Sequence, residues 1–241
     1  LAPNLGWVDV PLGDLVRQAL LAEFAAVPSV SVGNDADLGA IAEFTRGVGA
    51  HCRNLIYVSG EVGIGGGVII DGRIMSGAGG YGGEVGHMVV NPSGVLCRCG
   101  ATGCWETEIG RDAVVRAAGL GGEQVEVADV IAAASSGNRA AQAAVDEVGI
   151  WLGIGLTNLV NLFNPEVVVL GGHLRLLLPL VSGAVFRQLH FALPAAREQV
   201  RVEVPSLSGD STLLGAAESA FGALLADPIG ELARSQHAAA S

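Results

Sequence analysis

One stretch restricts this chain more than any other: GHMVVNPSGVLCRCGATGCWE, residues 86–106. It holds His87, Cys97, Cys99 and Cys104, spaced H-x9-C-x-C-x4-C, with Gly94, Gly100 and Gly103 between them. Zinc takes four nitrogen or sulfur ligands tetrahedrally, and short glycine-bearing spacers let a chain fold back so that such ligands converge. Four protein ligands would leave no open position for water, so the expected role is a structural zinc. The alternatives are a disulfide, for which C-x-C is an awkward spacing, free thiols, or an all-cysteine site with Cys52 in place of His87. Cys52 stands in another segment and reads better as a small buried hydrophobe. The loop can be tied in this way only if the rest of the chain builds a core around it.

That core reads as α/β. Leu12, Leu15, Val16 and Leu20 fall on one face of a helix over residues 12–24. PSVSVG reads as a short strand leading to a helix that Asn34 or Asp35 caps. NLIYVSG and GGGVIIDG, joined by a glycine loop, form a hairpin. After the cysteine loop come helices near residues 106–118, 125–135 and 138–163, a buried strand EVVVLGG with a Gly-Gly turn into another helix, a strand VRVEV, and a helix over residues 212–226. The tail beyond Asp227-Pro228 is expected to fray. Strands alternating with helices point to α/β architecture.

Half of the 241 residues are apolar, enough for a substantial core. The thirteen basic residues are all Arg, which removes lysine Schiff-base chemistry. A net charge of −11 without a basic stripe makes the chain a poor nucleic-acid binder by itself. No apolar run in the sequence reaches the roughly 20 residues of a membrane span, and no signal peptide opens it, so the expected location is cytoplasmic with no membrane contact. The chain starts at Leu1 in mid-pattern, which suggests an N-terminal part upstream.

Polar groups cluster where a ligand rich in hydroxyls would need them. Asn34 and Asp35 stand at a strand-to-helix junction, where open α/β sheets bind ligands, and a carboxylate there can act as a general base. Glu84 and Glu106 flank the cysteine loop; the bland reading is that Glu106 caps a helix and Glu84 is a solvated turn residue. SGEVGIGGGVIIDG could cradle phosphate with consecutive backbone N–H groups, though it is not a P-loop, because no G-K-[ST] follows.

Together these stretches resemble the ROK family of bacterial sugar kinases and sugar-sensing repressors, which has the actin-like/hexokinase-like ATPase (ribonuclease H-like) fold. NDAD, GIGGGVIIDG, GEVGHM and CRCGATGCWE carry the resemblance, and NPEVVVLGG and LLGAAESA extend it almost to the C-terminus. The resemblance implies that Asn34, Asp35, Glu84, His87 and Glu106 ring a sugar or amino sugar. It makes Asp35 the catalytic base if the chain is a kinase, and His87, Cys97, Cys99 and Cys104 the ligands of structural zinc. It also implies phosphate loops at Glu61, Val62, Gly63, Gly65, Gly66, Gly171 and Gly172.

Two departures bear on activity. Family kinases read G-T-G-I-G-G-G where this chain has Glu61-Val62-Gly63, so a threonine hydroxyl is lost and a carboxylate gained. The D-x-G-x-T strand of the first phosphate loop is not in the sequence. Asp37 also replaces the second Asn of the usual N-D-A-N. The expectation is therefore the effector-binding part of a transcriptional regulator, a homodimer or homotetramer reaching DNA through a winged helix-turn-helix upstream. The alternative is an ATP- and Mg²⁺-dependent sugar kinase of glucokinase or N-acetylhexosamine kinase type. The expected division is a small-lobe remnant at 1–33 and 212–241, and a large lobe at 34–211.

Overall fold

The computed structural model describes residues 6–25, 27, 29–121, 124–232 and 234. A mixed five-stranded sheet is built from β1 (Leu55–Gly60), β2 (Ile64–Ile70), β3 (Arg73–Ile74), β4 (Val167–Gly172) and β5 (Arg201–Glu203) in the order β3-β2-β1-β4-β5. β1 and β2 form the expected antiparallel hairpin, with Ile56 opposite Val68. β1 and β4 run parallel, Ile56 opposite Val168, and β4 pairs parallel with β5.

Alternation along β1 and β4 decides which helices cover which face. Leu55, Tyr57, Val167 and Val169 pack with Ala36 and Ala40 of α2 (Asp35–Thr45). Ile56, Val58, Val168 and Leu170 point the other way, into the larger core with α6 (Arg139–Phe163) and α7 (Leu174–Leu189). With helices on both faces, every residue of β1 is buried, as is usual where parallel strands are covered on both sides. α6 has the length and apolarity of a membrane span, but most of its apolar stretch is buried in the protein.

Caps set the helix limits. Asn34 Oδ1 accepts from the backbone N–H of Ala36 at 2.9 Å and Asp37 at 3.3 Å to open α2. Asn138 does the same for α6, which stops at Asn164 in the left-handed conformation, just before Pro165. α9 (Ser211–Ala226) lies along α2, close enough that a Cβ on Gly215 would collide with the carbonyl oxygen of Leu38.

Three expectations need correcting. Residues 29–33 of PSVSVG form no strand, since no described segment pairs with them; Pro28 lies outside the described residues. The helix expected over residues 106–118 is two pieces, α3 (Glu106–Ile109) and α4 (Arg111–Ala117), because Gly110 turns extended and serves as the end of one and the cap of the next. Beyond Asp227, residues 228–232 are helical rather than frayed. Asp227 caps that turn by accepting from Gly230 N–H at 3.0 Å, and Pro228 stands first in it, where its missing N–H costs no helix bond. Residues 235–241 are outside the described part. Helix α1 (Leu12–Glu23) forms as the periodicity predicts, yet carries no buried residue among those described. Two shorter helices, α5 (Val127–Ser135) and α8 (Pro194–Arg197), precede α6 and follow α7.

Candidate functional site

The cysteine loop is held by its own backbone. Val90 and Asn91 N–H groups both donate to Gly103 O, Gly103 N–H donates to Val95 O, and Cys97 and Ala101 close a tight turn at 2.7 Å. Gly103 sits at φ +76°, where a Cβ would run into the carbonyl of Asn91. Trp105 then fixes the loop to the core: its ring is fully buried and its indole N–H donates to Trp151 O of α6 at 2.9 Å.

This packing brings His87, Cys97, Cys99 and Cys104 together, with their ligand atoms all within 4.8 Å of one another. Cys99 and Cys104 sulfurs are 3.6 Å apart, and Cys97 Sγ is 3.8 Å from His87 Nδ1. A tetrahedral zinc with bonds near 2.3 Å needs ligand separations of about 3.8 Å, so the donor set could hold a metal ion of this kind. All four cysteines are free. Burial and the neighbouring thiols push Cys104 up to about 12, while the backbone at Ala101 and the Cys104 thiol hold Cys99 below the usual thiol range. A cation at the centre would favour thiolates throughout. Cys52 is not in this group; it is half-buried beneath α2 beside Arg201.

Glu106 stands next to the metal group and reaches across to the hairpin. Its Oε2 accepts from Ile64 N–H at 3.0 Å, its Oε1 lies 4.0 Å from Cys97 Sγ, and the carboxylate presses on Gly63. It opens α3 without a side-chain capping bond, so the helix-cap reading does not describe it. Glu84 and His87 bound a short 3-10 turn, Val85–His87, and both are exposed.

Asn34 and Asp35 form the exposed start of α2. Asp35 Oδ1 accepts from Ala36 N–H at 2.8 Å and faces Gly65 of β2. Gly66 lies against Gly83 and Val85 instead. Asp37, one turn into α2, shares its surroundings with Glu84 and Asp35; burial and those two carboxylates push it up to about 6.

Glu61, Gly172 and Arg175 lie together in a separate cavity of about 240 Å³, also lined by Tyr57, His173 and Thr212. Glu61 Oε1 lies 2.8 Å from where a Cβ on Gly172 would stand. Its pKa is raised by burial and by Asp35, against the pull of Arg175. Val62 is turned out to solvent, and Gly171 is buried against the Tyr57 hydroxyl. Burial lowers the pKa of His173, whose Nε2 lies 3.0 Å from Ile109 O. Arg175, Glu126 and residues 208–212 were missed in the sequence. Arg175 alone left a signal there, a cation in the first turn of a helix, where the dipole disfavours it.

The ROK family profile matches residues 1–221. The chain belongs to the ROK family. It is 32% identical over 238 residues to a glucokinase of Halalkalibacterium halodurans, covering 89% of this chain and 68% of that one. It is 37% identical over 185 residues to a xylose repressor of Caldicellulosiruptor bescii, covering 71% of this chain and 45% of that one. Among solved structures it superposes on a ROK family glucokinase from Streptomyces griseus in complex with glucose and AMPPNP, with a TM-score of 0.78 and 31% identity over 90% of this chain and 74% of that one. A ROK transcriptional regulator homologous to Escherichia coli Mlc gives a TM-score of 0.72 and 28% identity over 86% of this chain and 54% of that one. These relatives carry the actin-like, hexokinase-like fold, and the sheet described above is its mixed α/β core. The chain spans about half the length of the repressors it matches.

Proposed function

We propose that this ROK chain is the sugar-sensing, effector-binding part of a transcriptional regulator. The observation that carries this reading is the Glu61 carboxylate, which lines the cavity beside Gly172, within electrostatic reach of Asp35. A family kinase has to hold ATP phosphates at that loop. A carboxylate about 4 Å from one phosphate charge, at an effective dielectric near 20, costs on the order of 4 kcal/mol. That weakens ATP roughly a thousandfold.

In this reading Asn34, Asp35, Glu84, His87 and Glu106 ring a sugar or amino sugar, and His87, Cys97, Cys99 and Cys104 hold a structural zinc that shapes the loop. The glycines at 63, 65, 66, 171 and 172 are what remains of the phosphate loops. Residues 34–211 act as the large lobe, with 1–33 and 212–241 belonging to a small lobe, in a cytoplasmic homodimer or homotetramer. DNA is left to a separate domain, since a chain of net charge −11 repels it. Sugar shifts the population of lobe arrangements by binding one more tightly than the other.

One observation favours a kinase instead: Asp35 is exposed at the start of α2, with only Oδ1 engaged by the backbone. There it could take the proton of a sugar hydroxyl as a general base, with ATP and Mg²⁺ supplying the phosphoryl group. Calorimetric titration separates the two readings. D-glucose or D-xylose should bind the wild type and Glu61→Gly alike, while Mg-ATP should bind only Glu61→Gly combined with Val62→Thr. Sugar-dependent ATP turnover by the wild type would overturn the regulator reading.

A further inference from the structure

Glu43 is the one acidic side chain among the described residues that is completely buried, and neither the sugar site nor the metal loop uses it. It lies on α2, eight residues past Asp35, about 12 Å along the helix. No cation faces it. Five donors do: Val48 N–H at 3.2 Å, Ser206 N–H and Oγ each at 3.2 Å, Leu207 N–H at 3.1 Å and Ser211 Oγ at 3.0 Å. Four of the five come from the segment that enters α9. That segment supplies Ser208, Gly209, Ser211 and Thr212 to the wall of the Glu61 cavity. At its far end Thr212 Oγ1 donates to the backbone carbonyl of Asp35 at 3.3 Å.

A fully buried carboxylate is expensive to desolvate, and bonds to charged groups are stronger than neutral ones. A carboxylate that only accepts matches a ring of donors; an amide in its place would turn its own N–H₂ against some of them. Glu43 thus supplies four of the bonds that fix the segment to α2, beside the Thr212 bond to the Asp35 carbonyl, and α2 is the rigid body that begins at Asn34 and Asp35. We propose that Glu43 is a positioning residue coupling the Asp35 site to the second cavity. It clamps residues 206–211 on α2, so that a ligand ordering the start of α2 also orders the cavity wall, and the reverse. This rests on the reading of Asn34 and Asp35 as sugar ligands.

Hydrogen exchange followed by mass spectrometry on the full-length protein tests it, with D-glucose and D-xylose as probes. In the wild type, saturating sugar slows exchange both at residues 34–38 and at 206–212. In Glu43→Gln the slowing at 34–38 persists while that at 206–212 disappears, and sugar affinity falls about tenfold, within the usual range of coupling between sites. A purely structural role would speed exchange at 206–212 equally with and without sugar, leaving the sugar-dependent difference intact; that result overturns the proposal. Ser211→Ala removes one donor of five, gives a smaller effect of the same kind, and carries the test if Glu43→Gln does not fold. If neither sugar binds the wild type, the sugar reading and the coupling fall together. If sugar binds and both variants behave as wild type, the coupling alone falls.

Discussion

Asp37 offers a perturbation whose sign and size both follow from the structure. Its backbone N–H is used in the α2 cap, but its Oδ1 is buried without a hydrogen-bond partner. Burial first, then Glu84 and Asp35, raise it from 3.8 to about 6, even though the first turn of a helix ordinarily favours an anion. The folded state therefore holds this proton more tightly than the unfolded chain does. Its contribution is most favourable below the unfolded value, and stability falls as pH rises from about 3.8 to about 6, then levels off. At face value the shift is worth about 3 kcal/mol; the group is half exposed, and solvent screening reduces that to about 1 kcal/mol.

Asp37→Asn keeps the shape and removes the charge. It should raise the stability of the folded chain near neutral pH by about 1 kcal/mol, or about 2–4 °C in Tm for a domain of this size. The gain should shrink as the buffer is brought towards pH 5, where the wild-type group is protonated. Thermal unfolding of both proteins across that range measures it. The reasoning is refuted if the variant is no more stable than wild type at neutral pH, or if its advantage does not depend on pH.

Two further outcomes follow from the loop. Stripping metal with a chelator, or Cys104→Ser, should unfold residues 87–104 locally and abolish sugar binding, read by proteolysis at the loop and by titration; normal sugar affinity in metal-free protein would end the shaping role. Trp105→Ala should cost about 3–5 kcal/mol in urea unfolding, because it empties a fully buried site against α6, and Trp105→Phe should cost distinctly less.

Much of the scaffold was legible because its signals are local. The β-branched runs either side of a glycine loop gave the hairpin, Asn34 gave a cap, and Asn164-Pro165 gave the end of α6. The strand at PSVSVG failed because a strand needs a neighbour to pair with, and no periodicity reports one. The cavity failed for a related reason: Glu61, Arg175 and Thr212 come from three segments far apart in the chain. Glu43 was invisible because a glutamate in a helix ordinarily faces water, and only the packing of α9 on α2 takes it inside. Glu61 could be named as an electrostatic conflict from sequence, but only the fold shows that its carboxylate turns into the cavity beside Gly172.

The cysteine loop and the glycine hairpin, which the sequence presents as separate motifs, meet in one carboxylate. Glu106 Oε2 is bonded to Ile64 N–H and its Oε1 faces the Cys97 sulfur. Its orientation is thus set by β2 on one side and by the loop on the other, with Trp105 locking the residue before it into the core. An ionised carboxylate has about four acceptor positions, and one protein N–H donor occupies only one of them. In the proposed sugar site Glu106 would therefore still have capacity for ligand hydroxyls while its other oxygen stays bonded to Ile64 N–H. A group held in that way discriminates by geometry, because a hydroxyl displaced by a fraction of an ångström meets an acceptor that does not follow it.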